Sequence, residues 1–127
     1  MRNRIVVALP VVWLALMLAA PLSAGEVERG PWQERMVDEL PKHFCAEGTY
    51  FRECFRVSQD RCLRVARAST RDCLEQHADD IPARIQLPEQ GRSLGRTIGS
   101  CAGRVYEEAL ERERRLTRTC RNPDAWR

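Results

Sequence analysis

Apolar residues recur every three or four positions along three stretches of the chain, which is the period of an α-helix with one buried face. In the first stretch, Trp32, Met36 and Leu40 follow one another at intervals of four, just after a Gly-Pro pair. Proline is tolerated at the first helical position because the N–H that it lacks has no helical partner there. The pattern predicts a first helix over residues 31–44, with Pro41 kinking or ending it.

The second and third stretches predict two longer helices. Thr49 is suited to cap the second helix, predicted over residues 50–80, and a third is predicted over residues 93–119. The inward positions of the second helix are Phe51, Phe55, Ser58, Cys62, Ala66, Ser69 and Cys73. Those of the third helix are Leu94, Ile98, Cys101, Val105, Ala109 and Leu116. No alternating pattern of any length indicates a strand, so the predicted fold class is all-α, a three-helix arrangement built on an antiparallel helical hairpin.

The chain begins with a segment typical of a secretory signal peptide. Two arginines precede an apolar run from Ile5 to about Leu22, and polar residues follow. The run is short for a bilayer span, which needs about 20 residues. We predict a signal peptide at residues 1–24 and a single exported domain at residues 25–127, periplasmic or secreted and without stable membrane insertion after cleavage. The alternative is an uncleaved N-terminal anchor.

The net charge gives no indication of a nucleic-acid partner. The whole sequence carries +3 at neutral pH, but Arg2 and Arg4 belong to the predicted signal peptide, so the mature chain is close to neutral. A nucleic-acid-binding domain of this size is usually strongly basic. We therefore predict no nucleic-acid partner. The partner that we predict is an unknown protein or a second copy of the chain.

Six cysteines fall within the predicted mature domain, and no two of them are spaced as C-x-x-C. An even number in a small exported chain predicts three disulfides rather than a metal site. The interval from Cys54 to Cys73 equals that from Cys101 to Cys120, so in an antiparallel hairpin both cross-helix pairs lie level. The predicted disulfides are Cys54 with Cys120, Cys73 with Cys101, and Cys45 with Cys62. Cys45 with Cys54 is easier locally and remains an alternative.

Glycine occupies every fourth position from residue 91 to residue 103, and all but the first of these glycines lie inside the third predicted helix. Each glycine within a helix costs about 1 kcal/mol relative to alanine. With Cys101 facing the second helix, the glycines after the first point away from it and form a second contact face, a glycine zipper. The predicted contact residues are Gly95, Gly99, Gly103, Tyr106 and Leu110. Three occupants are compatible with this face: the protein's own first helix, a second copy or another protein, and a small ligand.

Other candidates for chemistry are weaker. Arg52, Arg56, Arg64, Arg67 and Arg71 form a basic stripe that acidic residues interrupt, which favours a solvated, salt-bridged face. His77 lies near Asp79 and Asp80, but the adjacent Cys73 cannot bind a metal once it is in a disulfide.

We therefore predict no catalytic residues, no cofactor and no metal. The predicted role is non-enzymatic protein–protein interaction. The alternatives are a redox or chaperone factor with labile cysteines, and a membrane-anchored accessory subunit.

Overall fold

A computed structural model describes residues 25–126, and the predicted signal peptide at residues 1–24 lies outside the described residues. Within residues 25–126 the chain forms four α-helices and one two-stranded sheet. The helices are α1 (Arg29–Phe44), α2 (Tyr50–Glu53), α3 (Gln59–Gln76) and α4 (Glu89–Ala109), and the strands are β1 (Glu26–Glu28) and β2 (Arg84–Gln86). The all-α prediction is confirmed, because the three long helices make up the body of the domain. Helix α3 is central and packs against both α1 and α4.

Helix α1 matches its prediction closely. It begins two residues before the predicted start, which is within the usual uncertainty of a helix end. It continues past Pro41 to Phe44, and the backbone N–H of Cys45 donates to the carbonyl of Pro41 at 3.0 Å. Trp32, Pro41 and Phe44 are buried against the rest of the domain.

The second predicted helix is wrong in one respect: residues 50–80 do not form a single helix. The chain is helical only as far as Glu53 and becomes helical again at Gln59. Thr49 caps the short helix α2, as predicted, and the Ser58 hydroxyl accepts a hydrogen bond from the N–H of Arg61 and caps α3. A serine that satisfies a backbone N–H in this way starts a new helix rather than continuing an old one.

The segment between α2 and α3 is extended and pairs with a distant part of the chain. Phe55 forms an isolated antiparallel bridge with Arg114. The N–H of Arg56 donates to the carbonyl of Glu113 at 2.9 Å, and the N–H of Arg115 donates to the carbonyl of Cys54 at 2.8 Å. These backbone hydrogen bonds replace the helical ones that the sequence pattern led us to expect.

The same pairing explains why the third predicted helix, residues 93–119, is also wrong at its end. Helix α4 stops at Ala109, and a 3-10 turn (Glu111–Glu113) leads into the extended segment. As a result Leu116, predicted to face inward, is 72% exposed, and Ala109 is exposed as well.

The two short strands were not predicted. Strands β1 and β2 are antiparallel, with Val27 opposite Ile85, and Ile85 is fully buried. The N–H of Leu87 donates to the carbonyl of Gly25 at 2.7 Å, which continues the pairing beyond the strands. Three residues are too few to show an alternating pattern in the sequence.

The structure contains the three predicted disulfides, although the predicted geometry applies to only one of them. They are Cys45–Cys62, Cys54–Cys120 and Cys73–Cys101. Only the last joins two long helices, α3 and α4. The first ties the end of α1 to α3, and the second joins two segments outside the long helices. All six cysteines are buried, the most exposed being Cys120 at 4%.

An aromatic cluster fills the space between α1, α2 and the C-terminal half of α4. The rings of Phe44 and Phe51 stack with their centroids 4.1 Å apart. The ring of Tyr106 meets those of Phe51 and Phe55 edge-on, each at 5.3 Å. This cluster lies directly beside Gly103 of α4. Among residues 25–126, no helix combines the length and apolar character needed to cross a membrane.

Candidate functional site

The glycine stripe, defined as Gly91, Gly95, Gly99 and Gly103, lies along α4 and has different neighbours at each position. Two of the glycines are closely approached by the protein's own side chains. A Cβ atom at Gly91 would lie 2.5 Å from Cδ2 of Leu87, and one at Gly103 would lie 3.0 Å from Cζ of Phe51. At these positions glycine allows another side chain to approach the helix closely.

The other two glycines, Gly95 and Gly99, form what we call the open part of the stripe. A Cβ atom at Gly95 would have no neighbour within 4 Å, and one at Gly99 would lie 3.9 Å from Cδ1 of Leu40. The latter is an ordinary van der Waals distance, so an alanine side chain fits at both positions. Packing within residues 25–126 therefore gives no steric reason for glycine at either of them.

Tyr106 and Leu110 do not belong to an exposed face, so their assignment as contact residues is wrong. Both are fully buried. The Tyr106 hydroxyl donates to the carbonyl of Phe51 at 3.2 Å and lies 3.2 Å from Sγ of Cys62, and burial raises the pKa of Tyr106 to about 12. The predicted contact face is thus covered by the protein itself at its C-terminal end, through the aromatic cluster.

Next to the open part of the stripe lies a groove of about 510 Å³, which we call the glycine groove. Its floor includes Gly99 and Gly103, and its walls come from α2 and the C-terminal segment. The lining residues are Tyr50, Phe51, Gly99, Ser100, Gly103, Arg104, Glu107, Pro123 and Trp126. The indole N–H of Trp126 donates to the carbonyl of Thr119 at 3.2 Å, and its ring lies edge-on to that of Tyr50 at 6.3 Å.

One wall of the glycine groove is fixed by a hydrogen-bonded network. The Tyr50 hydroxyl donates to Oε1 of Glu107 at 2.6 Å, and Nη2 of Arg114 contacts the same oxygen at 3.1 Å. Burial, followed by the hydrogen bond to Glu107, raises the pKa of Tyr50 to about 12. On the rim, Arg104 is exposed and makes no ion pair with any described residue. The groove therefore offers a glycine floor, aromatic walls and one free positive charge at its edge.

The remaining candidates do not converge on a catalytic arrangement. Nδ1 of His77 lies 3.1 Å from a carboxylate oxygen of Asp80. Among residues 25–126, no group of three or more histidine, cysteine or acidic side chains is placed to hold a metal ion. None of the five arginines of the predicted basic stripe makes an ion pair with a described residue, so the salt-bridged face expected there is not seen. Arg61 of α3, which is not part of that stripe, pairs with Glu113 at 2.7 Å.

Most lining residues of the glycine groove were missed by sequence reasoning, and two of them, Tyr50 and Trp126, carry large aromatic side chains. Tyr50 directly follows the Thr49 cap, and only its neighbour Phe51 was given an inward role. Trp126 lies beyond residue 119, the predicted end of the third helix. A tryptophan in an otherwise polar C-terminal tail was the one available signal, since large aromatic side chains rarely remain in solvent without a contact.

The fold and the site together define a small all-α domain held by three buried disulfides, with an open groove beside its longest helix. A family model described as the T2SS substrate NttA matches residues 26–114, which is most of the chain. The chain therefore belongs to the NttA family of T2SS substrates, and it is an exported protein. The match includes both strands and all four helices but not Cys120 or Trp126. Comparison with curated proteins and with solved structures gives no match.

Proposed function

We propose that this exported protein acts as a non-enzymatic binding protein, and that another protein docks on the open part of the glycine stripe and in the adjoining glycine groove. The supporting observation is that Gly95 and Gly99 have no close internal neighbour. A glycine surface permits another backbone to approach a helix closely. The two glycines together forgo about 1–2 kcal/mol of helix stability, and a partner that packs on them accounts for that cost.

The disulfides support a structural role for the cysteines in this proposal. A thiolate can attack a disulfide only when it can reach a sulfur atom, and every cysteine here is almost completely buried. This disfavours the alternative of a redox or chaperone factor. That alternative predicts at least one bridge that mild reductant opens without unfolding the chain, which mass spectrometry after thiol labelling would detect.

The membrane-anchored alternative depends on residues 1–24, outside the described part of the chain. Cleavage of a signal peptide removes these residues and leaves a protein that works in the periplasm or outside the cell. The intact mass of the exported protein distinguishes the two cases.

The binding proposal is tested by affinity capture with the mature protein from its native extracellular and envelope fractions. Gly99→Leu places a bulky side chain on the floor of the glycine groove, and we expect it to abolish capture of the partner. Thr97→Leu is the matched control, because it adds the same side chain to an exposed position on the opposite side of α4.

Both variants are first checked for export, disulfide formation and melting temperature. Loss of a partner with Gly99→Leu but not with Thr97→Leu supports the proposal. If Gly99→Leu captures the same proteins as wild type, the open part of the stripe is ordinary solvent surface and the proposal is wrong.

A further inference from the structure

A second groove, of about 650 Å³, lies between α1 and α3 and does not involve the glycine stripe. We call it the acidic groove. It is found where α1 begins and α3 ends, and its apolar surface includes Val37, Leu74 and Ala78. Leu74 is buried, and Val37 is half-buried.

The polar residues of the acidic groove are mostly negative. Glu34 and Asp38 of α1 and Glu75 of α3 face a single positive side chain, Arg71. All four side chains belong to exposed residues, and none of them makes an ion pair with a described residue. An apolar surface with unpaired carboxylates around it is complementary to an apolar side chain flanked by positive charges.

A stretch of the same chain shortly after α4 has that complementary character. Among residues 25–126, Leu116 is the one large apolar side chain that is strongly exposed, at 72%. Arg112, Arg115 and Arg118 surround it in the sequence, are exposed, and make no ion pair with a described residue. We call residues 112–118 the arginine segment.

The arginine segment cannot reach the acidic groove of its own molecule. It is fixed at the opposite end of α3 by the 2.7 Å ion pair between Arg61 and Glu113 and by the hydrogen bond from Arg115 to Cys54. Arg61 and Leu74 are separated by about 20 Å of helix rise. Any arginine segment that occupies the groove must therefore come from a second molecule.

We propose that the protein associates with itself head to tail, through docking of the arginine segment of one copy in the acidic groove of the next. Leu116 packs against Val37 and Leu74, and the arginines lie beside Glu34, Asp38 and Glu75. The contact is heterologous, so each added copy leaves one groove and one segment free. The interface is small and rich in exposed charge, so the association is weak and weakens further as salt is added.

Sedimentation velocity of the mature protein, from micromolar to millimolar concentration, measures this association. We expect the average mass to rise with concentration at low salt and to fall when salt is added. Leu116→Ser should weaken association about tenfold or more, because the contact loses the burial of a leucine side chain. Leu116→Met should retain most of it. Asp38→Arg should also abolish association, whereas Glu47→Arg, the same charge change in the exposed turn after α1, should not.

Mixing two defective variants provides the decisive test. Leu116→Ser keeps a working groove and Asp38→Arg keeps a working segment, so each alone should stay monomeric at concentrations where wild type associates, while an equimolar mixture should form a one-to-one dimer that does not grow further. Wild type that remains monomeric at every concentration overturns the proposal, even if the acidic groove binds a basic peptide from another protein.

Gly99→Leu separates this proposal from that made for the glycine groove. We expect Gly99→Leu to associate as wild type does. If it becomes monomeric while Leu116→Ser still associates, the second copy docks on the glycine stripe and the acidic groove is not the interface.

Discussion

At Gly103 the ring of Phe51 lies where it would meet a Cβ atom at 3.0 Å, whereas one helical turn earlier Gly99 has only Leu40 at 3.9 Å, and at Gly95 the space within 4 Å is empty. The same residue type, repeated on one face of one helix, thus has two different physical explanations. At Gly103 glycine makes room for the protein's own aromatic cluster. At Gly95 and Gly99 it leaves a surface to which another molecule has close access.

The difference arises because side chains from the end of α1 and from α2 pack against the stripe at Gly103, whereas Leu40 is the one side chain within 4 Å of a Cβ at Gly99 and none is at Gly95. Phe44 at the end of α1 and Phe51 in α2 both approach Gly103, and Tyr106 and Leu110 are fully buried in the same region. Sequence spacing alone assigns equal roles to equally spaced glycines. What distinguishes the glycines is whether side chains pack against them, as at Gly103, or leave them open, as at Gly95 and Gly99.

The largest effect that this comparison predicts is at Gly103, where the aromatic cluster covers the stripe. We call this the covered end. Gly103→Leu forces a side chain into space that Phe51 already occupies, and overpacking of this kind typically costs about 1–3 kcal/mol. Gly99→Leu should change the free energy of unfolding by less than about 1 kcal/mol, because Leu40 is the one neighbour within 4 Å of its Cβ. Urea denaturation of the two variants measures both values.

A double-mutant cycle identifies the cause of the Gly103→Leu effect. In a Phe51→Ala background the ring is absent, so Gly103→Leu should cost clearly less than it does in wild type. Equal costs in the two backgrounds would show that Phe51 is not the reason for glycine at this position.

The second prediction uses the pH dependence of stability to test whether water reaches the tyrosine side chains at the covered end. The sequence has two tyrosines, Tyr50 and Tyr106, and both have a pKa raised to about 12 from an ordinary value of 10.0, chiefly by burial. The unfolded chain releases these protons near pH 10, while the folded chain retains them. Stability that is fully present below pH 10 is therefore lost as the pH rises towards 12.

Ultraviolet absorbance of tyrosinate follows this titration directly. In the folded protein tyrosinate should form only near pH 12, and in denaturant it should form near pH 10. Tyr50→Phe leaves Tyr106 as the single reporter of the covered end. Ionisation of Tyr106 near pH 10 in the folded protein would mean that water reaches this region.

Part of the architecture could be predicted from the sequence because it depends on spacing. The period of Trp32, Met36 and Leu40 locates α1, and the equal intervals between cysteines identify two of the three cross-linked pairs. These intervals identify Cys54 and Cys120 as partners even though neither lies in a long helix. The two cysteines flank segments that run antiparallel, and an antiparallel pairing keeps the same order of partners whether the backbone is helical or extended.

Other features could not be predicted, because the same sequence pattern is compatible with two different structures. Phe51, Phe55, Ser58 and Cys62 keep a helical period across the break between α2 and α3, so periodicity could not reveal that break. What decides it is the competition between helical hydrogen bonds and the distant backbone pairing of Phe55 with Arg114. For the glycine stripe, the first helix was one of the occupants that the sequence left open, and Leu40 of α1 does lie 3.9 Å from a Cβ at Gly99. The approach of Phe51 from α2 to Gly103 was not predicted.

The smallest expected effect is a gain in stability. Gly95→Ala and Gly99→Ala should each raise the free energy of unfolding by about 0.5–1 kcal/mol, because alanine restricts the unfolded chain and favours the helix while its methyl group meets no close neighbour. Gly103→Ala should gain less or lose stability, since its methyl group lies 3.0 Å from Phe51. Thermal and urea unfolding of the three variants measure these values.

If Gly95→Ala or Gly99→Ala lowers stability instead, glycine at that position serves the fold and the binding proposal loses its support. If both raise it, the wild-type protein is less stable than its own backbone permits at these two positions. This lower stability, at two positions beside an open groove, is what we expect if the surface is kept free for the backbone of a partner.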